Sequence, residues 1–594
     1  MFFIFYMLKK LLPYFGIFGG LTVTSVLAHF GSQLFNFFHM SGDASLVISF
    51  FVISIIFSLS FFIFHLSVKT VIPSFVIAIF FGIAAHPFLK PVVEEGETLS
   101  TVVALGATLI LFSGGLETPF ENFKKLFWKI TALSFPGLVL TSFLFSGGLF
   151  FLGHIFGVEL SLVSCILLGA VLASTDPAAI IPVLKVLRFK NRSTKDVIVS
   201  ESAMTDVTGT LLTIVFLTLI TGGFVFSNIT QGYSALFTKE AGMLLLRQGI
   251  LGVVFGFIGY FLLSKLTQFK QSHDEEYEAD AAFFLFVPVI IFSFALSFGG
   301  SGYLAAFVAG LLFTLTKHLH RTEGFFNHMI EGFFKPTIFM LLGALVEIQG
   351  LIEYAFIGIV AALVFMFVIR PISVFVTLGP FSFFGEERFS WKELLFISFV
   401  RETGAIPAVL LVTVVSSGIS GLEGLVPIGM WVILLTLVVE PPLTPWFAKK
   451  LSVAEVMSDD KTIQLSSEIP FVVLVSRGYS FLDRLSFVVE WADKHKISRV
   501  VLLHCLEDNY NKDRVLKVEE ISSAEFQKIN GARLAAGFQE IDFSLLSRKG
   551  LLHKNIRSIA LEQEGVIAIF VGRKVLDFRL EEIKHLPVPL FFID

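Results

Sequence analysis

The chain has 594 residues, of which 55% are hydrophobic and 15% are charged, whereas soluble domains carry about 25% charged residues. This composition argues against a purely soluble enzyme. The 48 acidic and 44 basic residues nearly cancel, so nothing favours a protein that binds nucleic acid through its charge. Charged residues make up about 11% of residues 1–448 and about 29% of residues 449–594, which indicates a lipid-embedded part followed by a water-exposed part.

Apolar runs fill the first part, and each is close to the roughly 20 residues that an α-helix needs to cross a bilayer. They lie at 14–38, 45–66, 69–88, 98–118, 130–153, 160–184, 197–222, 243–264, 281–298, 302–317, 334–350, 353–378, 393–415 and 425–447. We therefore predict an all-α polytopic membrane domain over residues 1–448, with about 13–14 transmembrane helices.

The loops between these runs alternate in their content of lysine and arginine. One set carries most of the basic residues, including Lys449 and Lys450, and the opposite set holds only Lys90 and Lys239. Because basic loops stay in the cytoplasm, we predict a multi-pass protein of the cell membrane whose N- and C-terminal ends are both cytoplasmic.

The pattern changes after the last apolar run. Residues 449–469 are predicted to be a linker. Residues 470–594 contain the short apolar runs FVVLVS, VVLLHC, GVIAIFV and PLFFI, with an amphipathic stretch at 479–495 between the first two. Strand, helix and strand in this order predict a small parallel α/β domain in the cytosol.

Ionisable residues inside spanning runs are costly and therefore mark functional sites. The runs contain Asp176, Glu201, Asp206, Arg370, Arg401 and Glu402.

Two of the runs carry helix-breaking residues beside these charges. In Thr175-Asp176-Pro177 the proline removes a backbone donor and interrupts the helix next to the carboxylate, and the run at 393–415 repeats the device with Thr403, Gly404 and Pro407. Interrupted helices at matching positions of two halves are typical of inverted-repeat transporters with a site at the membrane midplane.

The helix after the first break carries two carboxylates on different faces. Positions four apart share a face, so Ser202 and Asp206 lie on one face, and Glu201 and Thr205 on another. The first face offers oxygen ligands suited to an alkali cation. On the second, Glu201 needs a buried counter-charge, and Arg370 is the best available partner. We expect Asp206 to be functional and the Glu201–Arg370 pair to be structural.

Six segments of the membrane domain occur together in register over about residues 70–447. They are LILFSGGLE (109–117), STDPAA (174–179), ESAMTD (201–206), GGSGYLAAFVAG (299–310), KPTIFMLLGALV (335–346) and RPISVF (370–375). Together they resemble the NhaP/NHE-type branch of the monovalent cation/proton antiporters. The resemblance implies an NhaA-like antiporter fold, a homodimer, a core domain that moves against a dimerisation domain, and two crossed discontinuous helices that meet at the ion site.

The resemblance also implies residue roles. It makes Asp206 the cation-coordinating aspartate, Thr175 and Asp176 the broken-helix pair, Ser202 the coordinating serine, and Glu201 with Arg370 the structural ion pair. The Na⁺ or K⁺ site is then predicted at Asp206, Asp176, Thr175 and Ser202, with Thr205 beside it.

Two segments depart from the family pattern. Thr205-Asp206 stands where the family usually has Asn-Asp. Arg401-Glu402-Thr403-Gly404-Ala405 stands where it usually has Gly-Leu-Arg-Gly-Ala, so the arginine moves two positions, to another helix face. We expect Arg401 and Glu402 to pair with each other or with the ends of the broken helices.

These residues predict a secondary transporter, not an enzyme. A buried carboxylate binds either a proton or a cation, and if the core domain crosses only when Asp206 is neutralised, exchange is obligatory. With one acid at 205–206, we predict electroneutral one-for-one Na⁺/H⁺ exchange that serves pH homeostasis. The alternatives are a K⁺/H⁺ antiporter regulated by its cytosolic domain and a gated cation channel, although the sequence has no filter-like segment.

The C-terminal domain weakly resembles universal stress protein domains over about residues 470–594. The nucleotide-binding members have several spaced glycines after the strand that GVIAIFVG occupies, whereas Gly572 is followed by RKVLDFRLEEIKHLPVP. We therefore predict no nucleotide or other cofactor, and a regulatory or dimer-stabilising role. The expected partners are a second copy of the chain and the lipid bilayer, with no nucleic acid and no obligate protein partner.

Overall fold

The computed structural model describes most of the first part of the chain and the strands of the second part. The described residues are 13–26, 29, 44–67, 70, 72–94, 96–175, 181–185, 187–272, 282–316, 320–382, 388–456, 471–476, 482–495, 497, 499–506, 521–530, 533, 541–549, 556, 566–572 and 589–593.

The chain forms two compact units, Met1–Val456 and Met457–Asp594. The first unit is helical except for two short strands, and the second contains a parallel sheet. Every apolar run predicted from the sequence contains a helix among the described residues. The prediction of a mostly helical membrane protein with a small C-terminal α/β part is confirmed.

Helices make up most of the described residues of the first unit. They are α1 (13–26), α2 (Ala44–Ser67), α3 (Ser74–Ala84), α4 (His86–Glu94), α5 (Gly96–Glu117), α6 (Phe120–Lys125), α7 (Phe127–Phe156), α8 (Leu162–Leu172), α9 (Ile181–Lys185), α10 (Arg192–Thr221), α11 (Ile229–Ser234), α12 (Lys239–Ser272), α13 (Ala282–Ser297), α14 (Gly302–Phe313), α15 (His320–Met329), α16 (Lys335–Ala344), α17 (Ile348–Glu353), α18 (Ala355–Ser382), α19 (Trp391–Phe399), α20 (Ala405–Ser416) and α21 (Leu425–Leu451).

Within the described residues, six helices are long and apolar enough to cross a membrane on their own. Six further apolar helices among the described residues are shorter, and two of them, α8 and α20, belong to the broken runs. Short helices at membrane depth are tolerated where neighbouring protein satisfies the freed backbone groups. The site therefore depends on how the neighbouring helices pack around the breaks.

Both predicted interruptions are present. Helix α8 ends at Leu172, Ser174 and Thr175 are not helical, and the chain is helical again in α9. Helix α19 ends at Phe399, residues 400–404 are not helical, and α20 begins at Ala405. The predicted ligand Asp176 lies outside the described residues, as do residues 177–180.

Helix α10 carries Asp206 close to its midpoint. The helix has 30 residues and is therefore about 45 Å long, more than the roughly 30 Å of a bilayer core. Its start is defined by Asn191, whose side chain accepts a hydrogen bond from the Ser193 N–H at 3.1 Å, a standard N-cap arrangement. This geometry places the carboxylate far from either end of the helix.

A two-stranded antiparallel sheet joins the end of α21 to the loop before α10. Strand β1 (Leu187–Phe189) pairs with β2 (Ala454–Val456), with Leu187 opposite Val456. The Lys190 N–H also donates to the Val453 carbonyl at 3.1 Å. We name this sheet the clasp. It fixes the chain immediately before the second unit to the loop between the first broken helix and the helix of Asp206.

The second unit contains a five-stranded parallel sheet in the order β5-β4-β3-β6-β7. Its strands are β3 (Phe471–Ser476), β4 (Arg499–Leu506), β5 (Asp542–Lys549), β6 (Val566–Gly572) and β7 (Leu590–Ile593), and its described helices are α22 (Leu482–Lys494) and residues 521–530. Separate apolar clusters cover the two faces of the sheet. Strand β5 is absent from the sequence prediction, because this edge strand reads as mixed polar and apolar.

Candidate functional site

Asp206 contacts the non-helical segment of the first broken helix. The Ser174 hydroxyl donates to Oδ1 of Asp206 at 2.7 Å. Both side chains are buried, since Ser174 is 0% exposed and Asp206 4% exposed. Ser174 is not among the predicted site residues, although it directly precedes Thr175 in the sequence. This hydrogen bond places the Asp206 carboxylate at the first break.

Thr175 makes the second set of contacts between the break and α10. The Ser202 hydroxyl donates to the Thr175 carbonyl at 2.8 Å, and the hydroxyls of Thr175 and Thr205 lie 3.0 Å apart. The Thr205 hydroxyl also donates to the Ser202 carbonyl at 2.8 Å. Three predicted ligands, Thr175, Ser202 and Thr205, are thereby brought together beside Asp206.

The position of Thr205 refines the prediction of two helix faces. Thr205 is predicted on the face of Glu201, yet its hydroxyl reaches Thr175 together with that of Ser202. At about 100° per residue, Thr205 lies about 40° from Glu201 and about 60° from Ser202. It therefore borders both faces, and its hydroxyl turns to the side that offers a polar partner.

A glycine permits the close approach of the break to α10. A Cβ atom at Gly209 would lie 2.6 Å from Cβ of Ser174, a distance that the packed backbone does not tolerate without a shift. Gly209 lies one turn beyond Asp206 on the same helix. The absence of a side chain at this position is what lets the Ser174 hydroxyl reach the Asp206 carboxylate.

Glu201 and Arg370 form a buried ion pair. Nη2 of Arg370 donates to both carboxylate oxygens of Glu201, at 3.2 and 3.3 Å. Arg370 is 1% exposed and Glu201 2% exposed. Breaking a buried ion pair is strongly destabilising, because one buried charge is then left without its partner. The structure thus brings this predicted pair into contact, with Glu201 on α10 near Asp206 and Arg370 on α18.

Arg401, at the second break, reaches towards the first. Its Nη1 lies 3.6 Å from Oε1 of Glu201, and its Nη2 donates to the Ala173 carbonyl. Ala173 is the residue that follows α8, so this arginine binds the end of the first broken helix. Arg401 does not sit at the family position for the arginine, yet its guanidinium joins the two breaks. The neighbouring Glu402 is buried at 1% exposure.

Two polar residues of α21 that were not predicted as site residues contact the second break. Glu440, 2% exposed, accepts a hydrogen bond from the Arg401 N–H at 3.3 Å. The hydroxyls of Thr403 and Thr436 lie 2.5 Å apart. Glu440 could have been found, because it is an acidic residue inside the apolar run at 425–447, followed by two prolines.

A small cavity leads to Asp206 from the side of α5 and α16. It is lined by apolar residues together with Glu117, Asp206 and Lys335. Lys335 is 5% exposed, and its Nζ lies 2.6 Å from Oε1 of Glu331, four residues earlier. Lys335 begins one of the six segments that carry the family resemblance, but its charge was not predicted to lie near the site.

The chemistry of this site is that of hard oxygen ligands. No group of three or more His, Cys, Asp or Glu side chains placed to hold a metal ion occurs among the described residues. Among the described residues, the groups at the break are the Asp206 carboxylate, hydroxyls and the Thr175 carbonyl. Oxygen ligands with a single negative charge suit a weakly held monovalent cation and also accept a proton.

Comparisons with known proteins agree with this description. The family model for the transmembrane sodium/hydrogen exchanger matches residues 55–450. A K⁺/H⁺ antiporter NhaP2 from Shewanella baltica is 26% identical over 353 residues, which cover 58% of this chain and 56% of that protein. The Na⁺/H⁺ antiporter 1 of Methanocaldococcus jannaschii is 26% identical over 364 residues, covering 58% of this chain and 78% of that protein. The chain spans little more than half the length of the first curated relatives that it matches.

The fold also has a counterpart among solved structures. The sodium proton antiporter MjNhaP1 from Methanocaldococcus jannaschii superimposes with a TM-score of 0.53 at 22% sequence identity. The superposition covers 68% of this chain and 99% of that chain. At this identity the likeness concerns the fold of the membrane unit.

Proposed function

The chain belongs to the transmembrane sodium/hydrogen exchanger family, and from this premise we propose that it is an antiporter that exchanges a monovalent cation for protons across a membrane. Membership in this family makes it a multi-pass transporter, not an enzyme. We propose Na⁺ as the cation and K⁺ as the alternative, since the relatives named above include antiporters of both kinds.

The observation that carries this proposal is the contact between the first break and α10. The buried carboxylate of Asp206 is hydrogen-bonded by Ser174 and flanked by the oxygens of Thr175 and Ser202. Asp176, predicted from the sequence as a further ligand, belongs to the same segment. In this proposal a cation replaces the hydrogen-bonded arrangement around Asp206, or a proton neutralises the same carboxylate. Because the two compete for one group, each crosses only when the other has left.

The direct test is cation-driven proton movement in proteoliposomes. A pH gradient is imposed, and dequenching of a pH-sensitive dye is followed after addition of Na⁺, K⁺ or Li⁺. The wild type is expected to respond in a saturable manner, and Asp206→Asn is expected to be inactive although folded. Asp196→Asn, the same change nearer the start of α10, is the matched control and should retain exchange. Cation-dependent exchange by Asp206→Asn would remove this residue as the carrier.

We further propose that the exchange is electroneutral, with one cation for one proton. One carboxylate at 205–206, where the family usually has Asn-Asp, supports a single exchangeable charge. The rate of exchange should then be unchanged when a K⁺ diffusion potential is imposed across the liposome membrane with valinomycin, measured with Na⁺ as substrate. A clear dependence of rate or direction on that potential would contradict a one-for-one ratio.

The proposed arrangement of the whole protein follows from the sequence and the family. We propose that the N- and C-terminal ends face the cytoplasm and that two copies form a homodimer. Cysteine accessibility tests the first statement: a cysteine introduced at Lys450 should react with an impermeant reagent from the cytoplasmic side alone. Crosslinking or mass measurement in native detergent micelles tests the second.

We propose that the second unit regulates transport, with the clasp as the connection. Strand β2 precedes the second unit directly, and its partner β1 lies in the loop between the first broken helix and α10. The clasp residues Leu187 and Ala454 are buried. The clasp therefore links the start of the second unit to the loop before α10. Deletion of residues 457–594, which keeps the clasp, should alter the pH or cation profile of exchange. An unchanged profile would argue against regulation by this unit.

A further inference from the structure

We propose that Glu440 is a positioning residue for cation/proton exchange, which holds the second break in place and balances the charge of Arg401. This inference rests on the proposed antiport, because its main readout is the KM for the cation. It concerns a residue of α21 that acts through Arg401.

Helix α21 presents a polar stripe in an otherwise apolar sequence. Thr436, Glu440 and Thr444 recur every four residues, so they lie on one face of the helix. All three are buried, at 0%, 2% and 0% exposure. A buried carboxylate is costly unless it is paired and hydrogen-bonded, so the presence of Glu440 on this face requires a partner.

The second break supplies that partner. Residues 400–404 are not helical, and the Arg401 N–H, which donates to the Phe399 carbonyl at 3.0 Å, is shared with a side-chain acceptor on α21. Glu440 Oε2 accepts from the Arg401 N–H at 3.3 Å, and the Thr436 hydroxyl oxygen accepts from the Thr403 N–H at 3.3 Å. The stripe therefore holds the non-helical backbone through two successive turns of α21.

The charges around Arg401 give the reason for a carboxylate at this position. Arg370 and Arg401 both approach Glu201, so two guanidinium groups share one carboxylate. Glu440 adds a second carboxylate beside Arg401, and the buried Glu402 follows Arg401 in the chain. Removing the charge of Glu440 takes one buried carboxylate away from the two guanidinium groups, which is an unfavourable change.

This charge lies close to the transport site along the chain. Arg401 donates to the carbonyl of Ala173, and the next residue, Ser174, donates to Asp206. With Glu440 neutral, the positive charge of Arg401 repels a cation at Asp206 more strongly, because electrostatic interactions are weakly screened in a buried site. Glu440 thus sets the electrostatic potential in which the cation binds.

The experiment measures KM and kcat for Na⁺ and K⁺ in proteoliposomes for Glu440→Gln and for a matched control, Glu423→Gln, at an exposed position just before α21. Glutamine keeps an oxygen that accepts the Arg401 N–H but removes the charge. We expect Glu440→Gln to raise the cation KM at least fivefold, and Glu423→Gln to leave it within twofold. An unchanged KM in folded Glu440→Gln would overturn the proposal.

The decisive variant restores the charge balance. In the double variant Glu440→Gln/Arg401→Gln the positive charge is removed together with its compensating carboxylate, so KM should return towards the wild-type value. Because Glu440→Gln can itself impair folding, the amount of folded protein and the thermal unfolding temperature are measured in parallel, and the double variant should recover both. If the double variant improves neither the KM nor the stability of Glu440→Gln, the proposed charge balance is overturned. If the wild-type protein shows no cation/proton exchange in the same liposomes, the proposed antiport itself is refuted.

Discussion

The two broken helices of the membrane unit look alike in sequence but differ in what their breaks contact. At the first break, Ser174 and Thr175 turn towards Asp206 and its neighbours on α10. At the second, Arg401 and Thr403 are bound by α21 through Glu440 and Thr436. In both places backbone freed from a helix finds polar partners, as burial requires.

This difference teaches that the two breaks have different tasks. The first offers its oxygens to a group that can exchange a proton or a cation, whereas the second is tied down by hydrogen bonds and charges. Arg401 then connects them, because it binds the end of α8 while its own backbone is held by α21. In the proposed mechanism the first break is the site, and the second is its support.

The largest effect should come from the charges that join the two breaks. Glu201→Gln leaves both Arg370 and Arg401 without this carboxylate, whereas Arg370→Met leaves Glu201 with Arg401 at 3.6 Å. We expect Glu201→Gln to lose about 3–5 kcal/mol of unfolding free energy, the usual loss for one broken buried pair, and Arg370→Met to lose less. Thermal unfolding in detergent micelles measures both, and the reverse order would contradict a shared carboxylate.

A matched pair of valine variants tests the division of tasks. Thr175→Val removes a hydroxyl at the first break and should raise the cation KM about tenfold, the equivalent of about 1.4 kcal/mol. Thr403→Val removes the hydroxyl that meets Thr436 and should instead lower stability by about 1–3 kcal/mol, with KM within twofold. Transport assays and unfolding curves are recorded for both. If both variants change KM equally, the two breaks do not differ as described.

The close approach at Gly209 should give an effect on stability of similar size, which is steric in origin. Gly209→Ala places a methyl group against Ser174 and should cost about 1–3 kcal/mol through overpacking, with slower exchange. Gly249→Ala on α12 is the control, because a Cβ atom there would meet no described atom within 4 Å outside the backbone of its own helix. Helix propensity predicts a gain of up to about 1 kcal/mol for this control. Equal stability changes in the two variants would rule out a steric role for Gly209.

The smallest effects should come from the N-caps of α10 and α19, the helices that precede or contact the two breaks. Asn191 caps α10, and Ser390 caps α19 in a capping box with Glu393. Replacement of either cap by alanine should cost about 1 kcal/mol. The cation KM should stay within twofold, because neither cap lies at a break. A large KM change in Asn191→Ala would mean that the start of α10 is coupled to Asp206.

Much of the fold could be predicted from the sequence because it follows local rules. The length of the apolar runs predicts the helices, and proline and glycine within them predict the breaks. The short apolar runs after residue 470 predict the parallel strands. Strand β5 was missed, because an edge strand with mixed polarity has no clear periodic pattern. The rarity of charge in spanning runs also points to Asp206, Glu201 and Arg370 as candidate site residues from the sequence alone.

Only the tertiary structure decided which of these groups meet. The spacing of Thr205 on α10 is compatible with either face, and its hydroxyl turns to Thr175 because that segment lies there. Glu440 is separated from Arg401 by 39 residues, and no local pattern links an acid on one helix to a backbone N–H on another. Sequence by itself determined where polar groups enter the membrane, since each such group is costly there. Three-dimensional packing determined their partners, because partners are set by proximity in space and not along the chain.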